Sequence, residues 1–410
     1  MYSRPFSPET WPFDLEWLPQ PVYLVGGAVR DALLGRRSEY LDLDFVLPSN
    51  AVKTARAIAA RCQAGFVLLD AERQIARVVF QQATVDFAQQ EGSSLETDLR
   101  RRDFTVNAIA YNPHTKELFD PLQGYIDLQQ RSLRMIQAAN LQDDPLRLLR
   151  AYRQAAQLNF VIEPKTHSII RSLAPQLGQV AAERVRVELG YLLSSSQGTP
   201  WISAAWEDGL FAPWFNIAQA VEIAAVDAAA QVLIQTWPTL GVELAQFIRD
   251  TVKTSWFAIA RLSCLVASEP DGAEAQLIRL TYSRAEIRGV TTALKLLPQL
   301  QLPEQMSVRS QYFLFRTAGN IFPTLAVLAV ATGTPVEAIA PLINRYLTPD
   351  DPVAHPTPLV SGKDLMQALH LSAGPQVGKL LTEVAIAQVE GQISTATEAL
   401  ELAAHLVKTN

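Results

Sequence analysis

The chain has 410 residues, enough for several domains around a sizeable core. Hydrophobic residues make up 49% of it and charged residues 19%, a globular composition that excludes disorder. Residues 191–410 carry 13 Lys and Arg against 19 Asp and Glu, which accounts for the whole formal charge of −6, so generic nucleic-acid coating is excluded and any polyanion site must be a local cluster.

Residues 1–20, rich in Pro and Trp, read as an irregular leader packed on the first domain. Val22 to Val25 reads as a strand, and Ala28, Val29, Leu33 and Leu34 recur at helical spacing, so Gly26-Gly27 falls where a strand turns into a helix. Such a turn suits an anion, because glycine lets backbone N–H groups approach closely, and Arg30 adds a cation one turn on. In the next apolar run, Leu41 to Leu47, side chains alternate, so Asp42 and Asp44 share one face. Two parallel carboxylates repel unless a divalent cation lies between them, and hard oxygen donors suit magnesium in phosphoryl transfer. A plain turn and a solvated strand end would also give each signal alone; the combination within one strand-helix-strand unit favours chemistry on a phosphate.

Ala51 to Arg61 follows as a helix, then strand-like runs at Phe66 to Leu69, Ile75 to Phe80 and Thr84 to Phe87, giving a small head of strands and helices. Asp86 is either a third metal-facing carboxylate or a partly exposed strand residue, and the residues leave both open. After a short polar connection, Gln89 to Thr97, come Arg100-Arg101-Arg102 before a segment that reads as a helix turning apolar. The arginines suit triphosphate or RNA phosphates, and Asp103 and Asn107, four apart, would share a helix face toward a ribose. Asp120 to Gly124 is a turn. From Asp143 a helix begins with acidic residues and Pro145, and Asp144, Arg147 and Arg150 line one side of it. With Arg131, Arg134 and Arg153, these arginines form the local basic cluster.

The remainder is expected to be helical, punctuated by prolines, with Trp201, Trp206, Trp214, Trp237 and Trp256 serving packing. The five histidines are scattered without ligand spacing, which does not support a metal phosphohydrolase domain. Cys62 and Cys264 lie in apolar helix-like runs, so no disulfide framework and a reducing compartment are expected. No signal-peptide pattern opens the chain, and the longest apolar stretch, around Ile321 to Ala331, contains Pro323 and is short for a bilayer. A cytoplasmic protein with no membrane partner is expected. Pro356 to Val360 reads as a linker to a last helical unit, in which Lys363 and Lys379 are candidate RNA contacts or solvated helix ends.

On these blocks the chain resembles the class II tRNA nucleotidyltransferases, the CCA-adding family that also contains bacterial poly(A) polymerases. The likeness covers most of the first 190 residues and a tail at Gly362 to Gly391. It implies an α+β fold: a small polymerase-beta-like nucleotidyltransferase head, a mixed sheet with helices, over 1–135, followed by an all-α neck (136–195), body (196–350) and tail (351–410). It also implies that Gly26, Gly27, Arg30, Arg102 and Arg150 contact the triphosphate and that Asp42 and Asp44 hold magnesium. Asp103 and Asn107 would take the ribose. Asp144 and Arg147 would read the base edge, in a block where Asp143 replaces the usual Glu. Ala182 to Glu188 resembles the motif that braces the neck, and Gln123-Gly124 stands where the family usually has two glycines. The implied reaction is attack of the tRNA 3′ hydroxyl on the α-phosphate of CTP or ATP with loss of pyrophosphate. The implied partners are tRNA, gripped at its acceptor end and elbow, and the two nucleotides, with no DNA.

Full CCA-adding members carry a longer loop where this chain has Gln89 to Thr97, so the resemblance points to addition of the two cytidines, with addition of the terminal AMP as well left open. The basic signature of the poly(A) polymerases is missing between Asp44 and Asp86, which disfavours the alternative of poly(A) synthesis. Intact Asp42, Asp44, Asp144 and Arg147 disfavour the other alternative, a non-catalytic tRNA-binding protein.

Overall fold

Alternation of apolar and polar residues in the strand Leu41–Leu47 and its neighbour Ala83–Gln89 gives the sheet of the first unit one apolar face. The computed structural model describes residues 4–36, 39–215, 223–249 and 252–409, and the chain divides into two units, Met1–Pro213 and Trp214–Asn410. The first unit holds a seven-stranded sheet made of β1 (Tyr23–Val25), β2 (Leu41–Leu47), β3 (Gly65–Asp70), β4 (Ile75–Val79), β5 (Ala83–Gln89), β6 (Ala110–Asn112) and β7 (Glu117–Phe119). Its order is β3-β4-β5-β2-β1-β6-β7. Only the β2–β5 pair is parallel, and α2 (Ala51–Cys62) makes part of the crossover between them. Leu43, Phe45, Val85 and Phe87 are buried on one face of this pair. The Phe45 and Phe87 rings stack at 5.5 Å, and Trp11 of the leader meets Phe45 edge-on at 5.2 Å. The leader thus covers one side of the sheet and leaves the carboxylate side to the site.

The sequence reading missed β6 and β7, each only three residues long, and misplaced a helix. The helix beside the arginines, α3 (Leu95–Arg100), precedes them: Ser94 caps it by accepting from the Thr97 N–H, and Glu96 and Asp98 occupy its first turn. The arginines therefore lie at its C-terminal end, where cations complement the helix dipole. Beyond them Thr105–Asn107 forms only a single 3-10 turn. Likewise the helix expected from Asp143 begins later. A short α5 spans Ala138–Asp143, Asp144 is a non-helical link, and α6 runs from Leu146 to Leu158 behind Pro145. Against α6 pack α8 (Ala182–Ser194) and α9 (Gly198–Glu207). Between α6 and α8 lie a short strand at Val161–Ile162, paired in parallel with Ser132–Leu133, and α7 (Pro164–Leu173).

The turn after β7 leads into α4 (Gly124–Gln129). Both Asp120 carboxylate oxygens cap that helix, accepting from the Gly124 and Tyr125 N–H groups at 2.8 Å each. Gln123 occupies the left-handed region at φ 61°, a conformation that a glycine adopts without strain.

Among the described residues the second unit is helical apart from an antiparallel pair of strands, Phe247–Arg249 with Val252–Ser255. Residues Val308–Ala331 form a 24-residue helical run that is long and apolar enough to cross a membrane, although 67% of its most apolar window is buried inside the fold. The run exceeds the stretch singled out from the sequence because a 3-10 turn, Gly319–Ile321, joins two helices. Burial of Phe322 through Ala329 accounts for its apolar character as core packing. The tryptophans do pack: Trp214 lies under the Arg279 guanidinium at 5.0 Å, Trp237 donates to Asn344 at 2.7 Å, and Trp201 meets Tyr152 at 6.2 Å. The C-terminal helices Gly362–Leu369, Pro375–Val389 and Ala396–Thr409 share a core of Val360, Leu365, Val377, Leu380, Val384, Ala399 and Ala403.

A Cβ added at Gly124 would overlap the Thr105 carbonyl oxygen, whereas one at Gly190 in α8 meets nothing within 4 Å. Gly124→Ala is expected to cost about 2–4 kcal/mol, and Gly190→Ala to be neutral or stabilising by up to ~1 kcal/mol. Thermal denaturation of the two variants checks both.

Candidate active site

Register places the carboxylates. In the parallel pair Asp44 faces Asp86 and Asp42 faces Thr84, and across the antiparallel pair Val25 faces Asp44. All three aspartates therefore lie on one face, and the end of β1 brings Gly26 to the same place. Gly26 has φ 72°, and a Cβ there would sit 3.1 Å from Asp44 Oδ2 and 3.5 Å from an Arg102 terminal nitrogen. The glycine is needed both for its backbone conformation and for room beside a carboxylate. Gly27 opens α1 (Gly27–Leu33), with the Arg30 guanidinium beside its α-carbon.

Electrostatics mark the same spot. Burial, with Asp42 and Asp86 nearby, raises Asp44 to about 6, although Arg102 and Arg77 oppose the shift. Asp42 is raised too, by burial and by Asp86. Asp86 has a partner of its own: Arg77, its register partner on β4, donates to both of its oxygens at 2.7 and 2.8 Å. Among the described residues no three His, Cys, Asp or Glu side chains are grouped to hold a metal ion. Asp44, raised further by the more exposed Asp42 beside it on the same face, is thus left with Asp42 as the pair that fits a divalent cation. Arg102 fits an anion alongside. Its Nε is buried without a hydrogen-bond partner, and the guanidinium touches protein acceptors only through a 3.4 Å contact with Asp98.

The other expected nucleotide contacts are tied together in a polar network. Asp103 is 6% exposed and accepts from the Phe104 N–H at 2.8 Å, Asn107 at 2.9 Å and Arg150 at 3.1 Å. Burial alone would raise Asp103, but Arg150 and these donors hold it below the usual carboxylate range. Asn107 accepts from Arg30 at 2.7 Å and donates to Gln154 at 2.9 Å, and Arg30 also chelates Asp31. Although no helix joins them, Asp103 and Asn107 are brought together by their direct bond. Gln154, central to the network, carried no signal in the sequence beyond its place on α6.

In the proposed base-reading pair, Arg147 Nε lies 3.9 Å from Asp144 Oδ2, and Arg184 of α8 donates to that same oxygen at 2.9 Å. Glu188, one turn further along α8, pairs with Arg153 and lies 3.7 Å from Arg150. Glu188 and Arg184 lie in the Ala182 to Glu188 block and tie α8 to α6. Lys363 and Lys379 are exposed on the C-terminal helices of the second unit, away from any of these groups in sequence.

A mixed sheet that offers paired carboxylates beside a glycine turn and an arginine with a free Nε, with polar helices behind it, defines a nucleotidyltransferase. Family profiles agree: residues 22–134 match the "Poly A polymerase head domain", 159–221 the "Probable RNA and SrmB- binding site of polymerase A", and 250–404 domain 2 of tRNA nucleotidyltransferases. A CC-adding tRNA nucleotidyltransferase of Synechocystis is 52% identical over 97% of this chain and 96% of its own length. An A-adding tRNA nucleotidyltransferase of Deinococcus radiodurans is 33% identical over 93% and 94%. The crystal structure of the Bacillus stearothermophilus CCA-adding enzyme in complex with CTP superposes with a TM-score of 0.74 at 24% identity, covering 99% and 98% of the two chains. The chain belongs to the tRNA nucleotidyltransferase family and is an enzyme of the α+β fold expected for it. Nucleotidyltransferases of this family use divalent metals in general.

Because the folded-state value of Asp44 lies above its ordinary 3.8, the folded protein binds more protons than the unfolded chain between those values, and ionising Asp44 lowers stability as pH rises through about 6. Asp44→Asn is therefore expected to raise the melting temperature of the metal-free protein at pH 8 and to change it little at pH 4. Calorimetry at the two pH values checks the sign.

Proposed function

We propose that this enzyme adds the two cytidines of the CCA tail to tRNA from CTP, in the cytoplasm, where the free thiols of Cys62 and Cys264 would remain reduced. The observation that carries the specificity is the connection between β5 and α3, which has only residues 90–94. It leaves no room for the longer loop of full CCA-adding members, and the 52% identical relative carries the CC-adding name.

Asp42 and Asp44 would hold magnesium, which when bound neutralises the triphosphate and lowers the pKa of the attacking hydroxyl. The chain's own residues then do the positioning. Arg102, with its free Nε, and the Gly26-Gly27 backbone take the triphosphate, joined by Arg30 and Arg150 from the edge of the polar network. Asp103 and Asn107 share their bonds with the ribose. Asp86, held by Arg77, adds negative charge beside Asp42 and Asp44 rather than serving as a third ligand. Asp144 and Arg147 present an acceptor beside a fork-shaped donor, a pattern that the Watson–Crick edge of cytosine satisfies and a wrong base leaves partly unpaired. The tRNA 3′ hydroxyl attacks the α-phosphorus and pyrophosphate departs, with positioning and fixed charge supplying the rate. We assign 1–135 to catalysis, 136–195 to base recognition, 196–350 to the body and 351–410 to a tail that grips tRNA by shape and phosphates, Lys363 and Lys379 included.

Incubating the protein with magnesium, tRNA lacking its tail, and labelled CTP or ATP tests this reading. Two CMP additions and no AMP are expected. A completed CCA would overturn the specificity, AMP runs on RNA would indicate a poly(A) polymerase, and no incorporation with tRNA still bound would indicate a binding protein. Asp42→Ala should lower incorporation by at least ~10³-fold while leaving tRNA affinity within about twofold, measured by filter binding.

A further inference from the structure

Asn140, a residue of α5 that is 3% exposed, stands between the arginine block and the base-reading helix. Its side-chain amide donates to two carbonyls, Arg100 at 2.8 Å and Arg102 at 2.7 Å. The Asn140 side-chain oxygen accepts from Gln137 at 2.7 Å, which fixes the amide's orientation. Its backbone carbonyl accepts from an Arg147 terminal nitrogen at 3.0 Å, and that same nitrogen donates to the Arg101 carbonyl at 2.8 Å.

The chemistry of a helix end explains the arrangement. Carbonyls at a helix end have no partner within their own helix. Here the last carbonyl of α3, that of Arg100, and the two that follow the helix, those of Arg101 and Arg102, are taken by the Asn140 amide and the Arg147 guanidinium. The short connection before α3 is fastened to the same place: the Glu91 N–H donates to Asp98 at 3.0 Å and the Glu91 carboxylate pairs with Arg101. One nitrogen of Arg147 is thereby committed, and the rest of its fork is held in one position beside Asp144.

We propose that Asn140 is a positioning residue for base selection, which clasps the C-terminal end of α3 to α6 and so holds Arg147 in the single orientation that accepts cytosine. The inference rests on the nucleotidyltransferase reading and adds a specificity role that acts through Arg147. Losing the clasp releases Arg147 to swing, so the favoured base loses a bond that the disfavoured base never had. Selection falls while the transfer step, set at Asp42 and Asp44, persists.

Asn140→Asp is nearly isosteric and replaces the donating amide with an acceptor. On tRNA lacking its tail, kcat/KM is measured with CTP and with ATP for wild type, Asn140→Asp, Arg147→Ala and the double variant. Wild-type addition of CMP in the same assay establishes the underlying reading, so its absence would fail that reading and not the clasp alone. The expected result is a fall of about tenfold in the CTP-over-ATP ratio for Asn140→Asp, carried by KM for CTP, with kcat changed by less than about threefold. No further fall is expected when the change is made on Arg147→Ala. Equal losses with both nucleotides, an unchanged ratio, or independent losses in the double variant would overturn the proposal. If Asn140→Asp does not fold, as judged by its melting transition, Gln137→Ala frees the amide to rotate and is expected to move the ratio in the same direction; an unchanged ratio there overturns it equally.

Discussion

The parallel pairing of β2 with β5 is the constraint on which the site depends. Parallel register at Asp44 and Asp86 brings negative charge together on adjacent strands, and alternation adds Asp42 on the same face. A sheet built for stability alone would place an apolar or oppositely charged residue there. The fold tolerates the arrangement because Phe45 and Phe87 stack behind it and Trp11 and Phe13 seal the far side. Arg77 gives one of the three carboxylates a partner by chelating Asp86 and tempers the charge on the others. What remains is a two-carboxylate site with unspent repulsion, and binding a cation is the way to relieve it.

The polar network that joins Asp103 and Asn107 to α6 and α8 shows the opposite economy of charge. Asp103, Asn107, Gln154, Arg150, Glu188 and Arg153 are interlocked, and the buried members have hydrogen-bond partners. Such a network is stiff because moving one member orphans another. Stiffness is what a protein needs if side chains are to stand in for a nucleic-acid template, since a donor and an acceptor discriminate between bases only when neither can turn away. The contrast between a strained metal-facing pair and a satisfied neck divides the labour of the first unit.

Much of this was legible in the sequence where the signal is local. The alternation in Leu41–Leu47 placed Asp42 and Asp44 together, and the strand-glycine-helix order placed Gly26 beside them. The helix boundaries around the arginines were read wrongly because the cap lies earlier, at Ser94, and because Asp144 sits in a link between two helices instead of inside one. The partners of the site residues were hidden for another reason. Arg77 meets Asp86 from the adjoining strand, Gln154 meets Asn107 across 47 positions, and Arg184 meets Asp144 across 40. Nothing in a linear pattern announces such pairs, so the roles of Arg77, Gln154 and Arg184 required the fold.

The end of a short helix shows how a connection can bear on a distant arginine without touching it. α3 has six residues, and the carbonyls at and just past its end, those of Arg100, Arg101 and Arg102, need donors. Donors come from Asn140 and Arg147, and the helix itself is anchored by Ser94 and Glu91 at the end of a connection too short to shift independently. In a chain with a longer, looser connection the same carbonyls could move with the helix and carry the arginine with them. Here the anchor is close and the arginine has two fixed acceptors, the Arg101 and Asn140 carbonyls, so its position is set where the chain leaves the sheet for the helices.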